Sequence, residues 1–255
     1  MTSSTRQSRP ALLVLVRHGE SARNVAKKRN RFFLDDESRR PVKGIPDWKI
    51  PLTDAGRLQA EKTGAALRQR YGVFDYVYHS GYRRTVDTAE GILTAYTDEE
   101  RARMRVRPNP FIRERDAGYT YDMTTAEAEA AFPWLQEYWD TFGTWFARPP
   151  GGESLAEVAS RVYTFLNMLF RDRGGSRVLV VTHGGTLRCF RFLLERWTFD
   201  DVTRELETYR TPNCCVTTYR FDERSRRLQL DRLNDVFVDY DTSTLEEVPQ
   251  HGGTD

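Results

Sequence analysis

ALLVLVRHGES, residues 11–21, runs six apolar residues into an arginine, a histidine and a glycine. A short, unbroken apolar run of this kind is a strand buried on both faces, as in the interior of a parallel sheet. The glycine lets the chain turn sharply as it leaves the strand. The same grammar recurs at VLVVTHGG, residues 178–185, where His183 stands before Gly184 and Gly185. Either histidine alone is accounted for as a buried ring bonded to a carbonyl. The chain has only four histidines, and two of them placed alike point to one site that a sheet assembles from His18 and His183.

Working outward, FDYVYH (74–79) reads as another buried strand and MRVRPNPFI (104–112) as a weaker one. CCVTTYRF (214–221) and RLQLDRL (227–233) alternate in polarity on either side of a charged turn, as a late hairpin does. Between the strands lie helical periods. Leu155, Val158, Ala159, Val162, Phe165, Leu166, Leu169 and Phe170 recur at steps of three and four after a capping Glu153 or Ser154. Residues 52–72 form a second helix, capped by Thr53 and stopped at Gly72. Residues 82–96, 124–147 (broken at Pro133) and 185–197 are further helices. Strands alternating with helices predict a three-layer α/β/α sandwich: a mostly parallel central sheet, helices on both faces and a helical cap insertion. Ligands in such folds bind beyond the carboxyl ends of the strands.

The chain's 255 residues carry 39 Lys and Arg against 37 Asp and Glu, a net charge of +2. That balance gives no reason to expect a nucleic-acid partner. No stretch approaches the roughly 18–20 apolar residues of a membrane span, and MTSSTRQSRP at the start has no apolar core of a secretion signal. Three cysteines, two of them adjacent, read as reduced thiols, so a cytoplasmic protein is expected. Residues 1–10 are expected as a disordered lead-in and 239–255 as a flexible tail. Residues 11–238 are expected as a single domain, with an insert at 25–46 and the cap over 119–150. Nothing in the sequence sets an oligomeric state.

Two more elements fall at strand ends. In SGYRRTVDTA (80–89), Arg84 and Thr88 lie one turn apart on an opening helix, a setting that suits an oxyanion. In IRERDAG (112–118), Glu114 or Asp116 is placed to give a proton to a leaving group.

Together these residues resemble the histidine phosphatase superfamily, also called phosphoglycerate mutase-like, over roughly residues 11–221. The likeness rests on Arg17-His18-Gly19-Glu20-Ser21 with Asn24, and on Asp47 with Leu52-Thr53, Gly56 and Gln59-Ala60. It continues through Ser80, Arg84, Thr88 and Ala89, then Ile112-Arg113-Glu114 with Gly118. Gly152-Glu153-Ser154, His183-Gly184-Gly185 and Pro212-Asn213 complete seven elements in order. The resemblance implies that His18 attacks phosphorus and that Arg17, Arg84, His183 and Gly184 hold the phosphoryl oxygens, with a further bond from Asn24. It implies that Glu114 protonates the leaving alcohol and then activates water. Two arginines and two histidines suffice for this chemistry without metal or cofactor. Glu114 would need to hold a proton, which burial or a neighbouring carboxylate favours.

The reading that follows is a phosphomonoester hydrolase, metal-independent, acting on a small phosphorylated metabolite and releasing phosphate ion. Phosphoglycerate mutase-type transfer is the alternative. It is disfavoured because 29 residues separate Arg84 from Glu114, fewer than such mutases usually carry. A non-catalytic phosphate- or protein-binding relative should have lost part of the pocket. Two points stay open: whether the insert is a substrate lid or a solvated loop, and whether Asp116 assists or replaces Glu114.

Overall fold

A computed structural model describes residues 8–28, 30–208 and 210–237. Six strands form one sheet: β1 (Leu12–Arg17), β2 (Tyr76–His79), β3 (Arg105–Pro108), β4 (Arg177–Thr182), β5 (Val216–Asp222) and β6 (Arg227–Asp235). Their order is β3-β2-β4-β1-β5-β6. The four at the β3 side run parallel, while β5 and β6 are antiparallel, the expected hairpin.

Ten helices accompany them among the described residues. In order, α1 is Ala22–Lys27, α2 Asp36–Arg39, α3 Asp54–Tyr71, α4 Arg83–Leu93 and α5 Asp98–Arg103. Then come α6 (Thr125–Ala131), α7 (Leu135–Phe146), α8 (Leu155–Asp172), α9 (Gly184–Glu195) and α10 (Phe199–Thr208). The periodic segments are helices with the anticipated caps. Thr53 accepts the Gly56 N–H, and Ser154 forms a capping box with Glu157. Gly72 ends α3 at φ +65°, in the left-handed region that a side chain disfavours.

Strand β1 shows why its sequence does not alternate. Leu13 and Leu15 pack with Val158, Val162, Phe165 and Phe190 of α8 and α9. Leu12, Val14 and Val16 pack on the other face with Leu67 and Ile92 of α3 and α4. Helices on both faces of one sheet make the three-layer α/β/α sandwich. Four helices escaped the sequence reading: α1, α2, α5 and α10. Among the described side chains of α10 only Val202 is fully buried, and its apolar stripe is just Phe199, Val202 and Leu206, but Thr198 and Asp201 bond reciprocally across its start.

The described residues of 25–46 are folded rather than loosely solvated. Phe33, Val42 and Ile50 are fully buried in a small core of their own with Ala26. The segment is bound to the cap region: Arg39 donates to Glu127 Oε2 (2.7 Å) and the Asp122 carbonyl (2.6 Å). Phe33 and Thr125 bond backbone to backbone (2.8 Å), and Tyr121 Oη donates to the Ile45 carbonyl (2.9 Å). Residues 119–150 hold α6 and α7, and Gly143 at φ +70° bends the latter near its end.

Cys189, Cys214 and Cys215 are buried free thiols. Burial pushes the last two up to about 12, so they stay protonated and unreactive. No described helix is long and apolar enough to cross a membrane. The expected lead-in lies mostly outside the described residues, but Arg9 accepts from Gly175 N–H (2.8 Å) and Pro10 is buried. The expected tail at 239–255 lies outside the described residues.

Candidate active site

The register of the sheet assembles the site. Arg17 stands opposite Thr182 on the parallel pair β1–β4, so the next residues, His18 and His183, leave the sheet side by side. His79 stands opposite Val181 on β2–β4, which brings Ser80 and the start of α4 to the same edge. The chain leaving β3 delivers Glu114. The two imidazoles lie 5.2 Å apart, edge to face.

His18 is 3% exposed. Its Nδ1 lies 2.7 Å from the Gly19 carbonyl. A carbonyl only accepts, so Nδ1 carries the proton and Nε2 keeps a free lone pair. Burial, and then the Arg84 and Arg17 charges, hold its pKa well below the usual histidine value. The loop beneath it has no slack. Gly19 N–H donates to Thr88 Oγ1 (3.0 Å), Thr88 donates to the Arg84 carbonyl (2.6 Å), and Glu20 N–H donates to Gln59 Oε1 (2.9 Å). A Cβ at residue 19 would sit 2.4 Å from the Gly56 carbonyl oxygen, so only glycine fits there.

His183 is fully buried. Its Nε2 pairs with Ser80 Oγ (2.8 Å), and its Nδ1 accepts from Arg84 Nε (3.3 Å). Burial first, then Arg84, lowers its pKa well below the usual range. Arg84, 4% exposed, also clamps Asp47 with two nitrogens (2.9 and 3.2 Å) and donates to its carbonyl (2.7 Å). That bidentate pair fixes the guanidinium beside the imidazoles. Arg17 bonds the Thr211 carbonyl. Gly184 starts α9 close by, where a Cβ would come within 2.9 Å of Thr211 Oγ1 and 3.5 Å of Arg17 Nε.

Glu114 accepts the Arg115 N–H at Oε1 (2.9 Å), and its Oε2 lies 3.9 Å from His183 Nδ1. Its side chain is 26% exposed, so it is open to water rather than sealed as expected. One ligand atom each from His18, Glu114 and His183 falls within 4.8 Å of the others. Three donors at that distance are a cation's reach, but the two guanidiniums alongside oppose one. Asp116 is exposed and bonds its own loop, accepting from Gly118 N–H (2.8 Å). Asn24 Oδ1 is taken up by Ser21 N–H (3.1 Å) and Asn213 Nδ2 (3.2 Å), and Asn213 also holds the His18 carbonyl (3.0 Å).

One group escaped the sequence reading altogether. Arg161, on the buried face of α8, spends its donors on the loop that carries Glu114. Nη1 holds the Phe111 and Arg113 carbonyls (both 2.8 Å), and Nη2 holds the Glu114 carbonyl (3.0 Å). Nε and Nη2 reach the two oxygens of Glu153 (both 3.0 Å). Burial alone would raise the Glu153 carboxyl, but bonds from Arg161 and the Asp116 N–H hold it below its ordinary value. The signal was present: an arginine at a stripe position between Val158 and Phe165 is a charge on a buried face.

A buried histidine with a lone pair on Nε2, a second histidine, two arginines and a carboxyl meet at the carboxyl edge of a three-layer sheet, an arrangement chemically able to receive an oxyanion. The chain belongs to the histidine phosphatase superfamily (branch 1), whose profile matches residues 13–235. It is 31% identical over 215 residues to the phosphoglycerate mutase-like protein AT74H of Arabidopsis thaliana, spanning 76% of this chain and 69% of that one. It is also 31% identical over 211 residues to the 2,3-bisphosphoglycerate-dependent phosphoglycerate mutase of Rhizobium etli, spanning 82% and 90%. Among solved structures, a mycobacterial glucosyl-3-phosphoglycerate phosphatase complexed with VO3 superposes with a TM-score of 0.65 at 26% identity, over 88% of this chain and 99% of that one.

Proposed function

We propose that the protein hydrolyses phosphomonoesters of small metabolites through a phosphohistidine on His18. The observation that carries this reading is the Gly19 carbonyl on His18 Nδ1 (2.7 Å). It fixes the tautomer that leaves Nε2 as nucleophile and stabilises the imidazolium formed on attack. His18 Nε2 bonds to phosphorus as the ester P–O bond breaks, and Glu114 gives its proton to the departing alkoxide. Glu114 then takes a proton from water, whose oxygen attacks phosphorus. The N–P bond breaks and phosphate leaves.

Arg17 and Arg84 neutralise the charge that grows on the equatorial oxygens, and the α9 N-terminus at Gly184 faces them. Asn24 can add only its Nδ2, because its Oδ1 is committed. His183 Nδ1 accepts from Arg84 Nε, so His183 donates to the phosphoryl group only if Arg84 Nε turns from it onto a phosphoryl oxygen and the ring proton moves to Nδ1, with the Ser80 hydroxyl then donating to Nε2. Two guanidiniums against the donors make a metal-free reaction the favoured one, and full activity in a strong chelator is the expected result.

Hydrolysis is preferred over mutase transfer because Glu114 is reached by water and the Arg84–Glu114 interval is short. The relative solved with VO3 supports a phosphoryl pocket here. The test is to trap the labelled intermediate, which should be acid-labile and alkali-stable. Isomerisation of phosphoglycerate dependent on a bisphosphate primer would instead establish the mutase reading.

Arg161 acts through the Glu114 loop. Arg161→Met should lower stability by roughly 3 kcal/mol, because Glu153 loses a bidentate partner and three carbonyls lose their donor. It should lower kcat about 10²-fold through displacement of Glu114, with KM moving far less. Urea unfolding and steady-state kinetics read the two effects separately.

A further inference from the structure

Tyr82 stands at the start of α4, two residues ahead of Arg84, and its side chain is half-buried. Its backbone is pinned. The N–H donates to Ser80 Oγ (3.3 Å), and the carbonyl accepts from Thr85 Oγ1 (2.8 Å) and from the Thr85 and Val86 N–H groups (2.9 and 3.0 Å). The ring lies against two groups of the site at once. It meets the His183 imidazole edge to face at 5.3 Å, with the planes 70° apart. The Arg84 guanidinium carbon stands 5.0 Å from its centroid. A guanidinium at that range is attracted to the face of the ring, so Tyr82 packs on the cation and on the imidazole that the cation bonds.

The hydroxyl of Tyr82 makes no hydrogen bond among the described residues. The charged groups that act on it are Asp47, Arg84, Arg113 and Glu114. It therefore shares the space of the Arg84 clamp and of the carboxyl assigned to the leaving alcohol. Burial, and then Asp47, hold its pKa above the ordinary tyrosine value, so it keeps a proton to donate. Donors are scarce at this site. His183 Nδ1 accepts from Arg84 Nε, and His183 Nε2 pairs with Ser80. Arg84 Nη1 gives its two hydrogens to the Asp47 carbonyl and Oδ1, and Nη2 gives one to Oδ2. Most of the Arg84 donors are thus committed before a substrate arrives. A transferring phosphoryl group spreads its charge over three equatorial oxygens. A phenol packed on Arg84 supplies a donor that no protein acceptor has claimed.

We propose that Tyr82 is a substrate-contacting residue: its ring holds Arg84 and His183 in place, and its hydroxyl donates to a non-bridging phosphoryl oxygen. The inference rests on the hydrolytic reading above for its turnover arm only. Tyr82→Phe keeps the ring and removes the donor. It should bind inorganic phosphate roughly tenfold more weakly by calorimetry, the worth of one charge-assisted contact. It should lose about the same factor in kcat/KM on n-butyl phosphate and on p-nitrophenyl phosphate alike. Equal losses mark a contact to the phosphoryl group, because a bond to the leaving oxygen aids only the alkyl ester. Tyr82→Leu and Tyr82→Ala remove the ring as well. Water then reaches His183, and its imidazole should titrate closer to the ordinary histidine value in an NMR pH series, whereas in Tyr82→Phe it should not move. Phosphate affinity and kcat/KM unchanged in Tyr82→Phe overturn the hydroxyl contact. A loss confined to n-butyl phosphate overturns it too, and assigns the hydroxyl to the leaving oxygen. A His183 titration unchanged in whichever ring-free variant folds overturns the role of the ring. Weaker phosphate binding by Tyr82→Phe, with no hydrolysis by wild type, upholds the contact and overturns only the hydrolytic reading.

Discussion

His18→Ala should lose turnover by a factor on the order of 10⁴–10⁶ while remaining folded. The argument is chemical. His18 Nε2 is buried and carries no proton, because Nδ1 holds the ring proton against the Gly19 carbonyl, whereas the acceptor nitrogen of His183, Nδ1, is already taken by Arg84 Nε. Alanine leaves the positive pocket intact, so phosphate esters should still bind, and KM or Kd should change little. Residual turnover near wild type would overturn the covalent mechanism. The same substitution has a signature in stability. Burial, and then the Arg84 charge, hold both His18 and His183 well below the ordinary histidine pKa of 6.5. Above that pH both rings are neutral folded or unfolded, and stability is full. As pH falls below 6.5 the unfolded chain takes up protons that the folded chain refuses, so stability drains away until the folded values are reached. His18→Ala removes one of the two groups, so the fall in Tm from about pH 7 to about pH 5 should be smaller than in wild type.

Glu114→Gln should cost roughly 10²–10⁴-fold in kcat on alkyl phosphates, the usual range for a general acid–base. The size of the loss should depend on the ester. An aryl phosphate with an acidic phenol needs no proton as it leaves, so His18 should still be phosphorylated quickly. Hydrolysis of the phosphohistidine still needs a base, and glutamine is none. The variant should therefore release a burst of phenol and then stall with labelled His18. An equal loss on both ester types, with no burst, would remove Glu114 from the proton path. Asp116→Asn should leave the burst pattern of wild type, because that carboxylate faces its own loop.

The fold was largely legible because its buried strands and helices carry strong periodicity, and β1 and β4 end in the same three-residue grammar. The histidine pair and Arg84 were legible for a related reason: chemistry at strand ends is announced by local sequence. What escaped was set by contacts distant in the chain. Arg161 meets the Glu114 carbonyl across 47 residues, and Arg84 meets Asp47 across 37. No local pattern states such a partner, although a charge on a buried helix face gives warning that one exists. Helix α10 was missed because its stripe is only Phe199, Val202 and Leu206 and its other signal lay in the Thr198–Asp201 capping pair. The insert's core was hidden among charges: the short Phe32-Phe33-Leu34 run and the lone Val42 are set among Lys, Arg and Asp, and Phe33 and Val42 become a core only when folded over Ala26 and Ile50.

The Arg39–Glu127 and Phe33–Thr125 attachments bear on how new specificities could arise in this scaffold. Because the insert and the cap are sewn together, neither can be exchanged on its own. Grafting a relative's insert alone would leave Glu127 without its guanidinium and the Asp122 carbonyl without its donor. The insert and the cap are one structural unit written in two pieces nearly a hundred residues apart, so a chimera that folds must carry both segments across together.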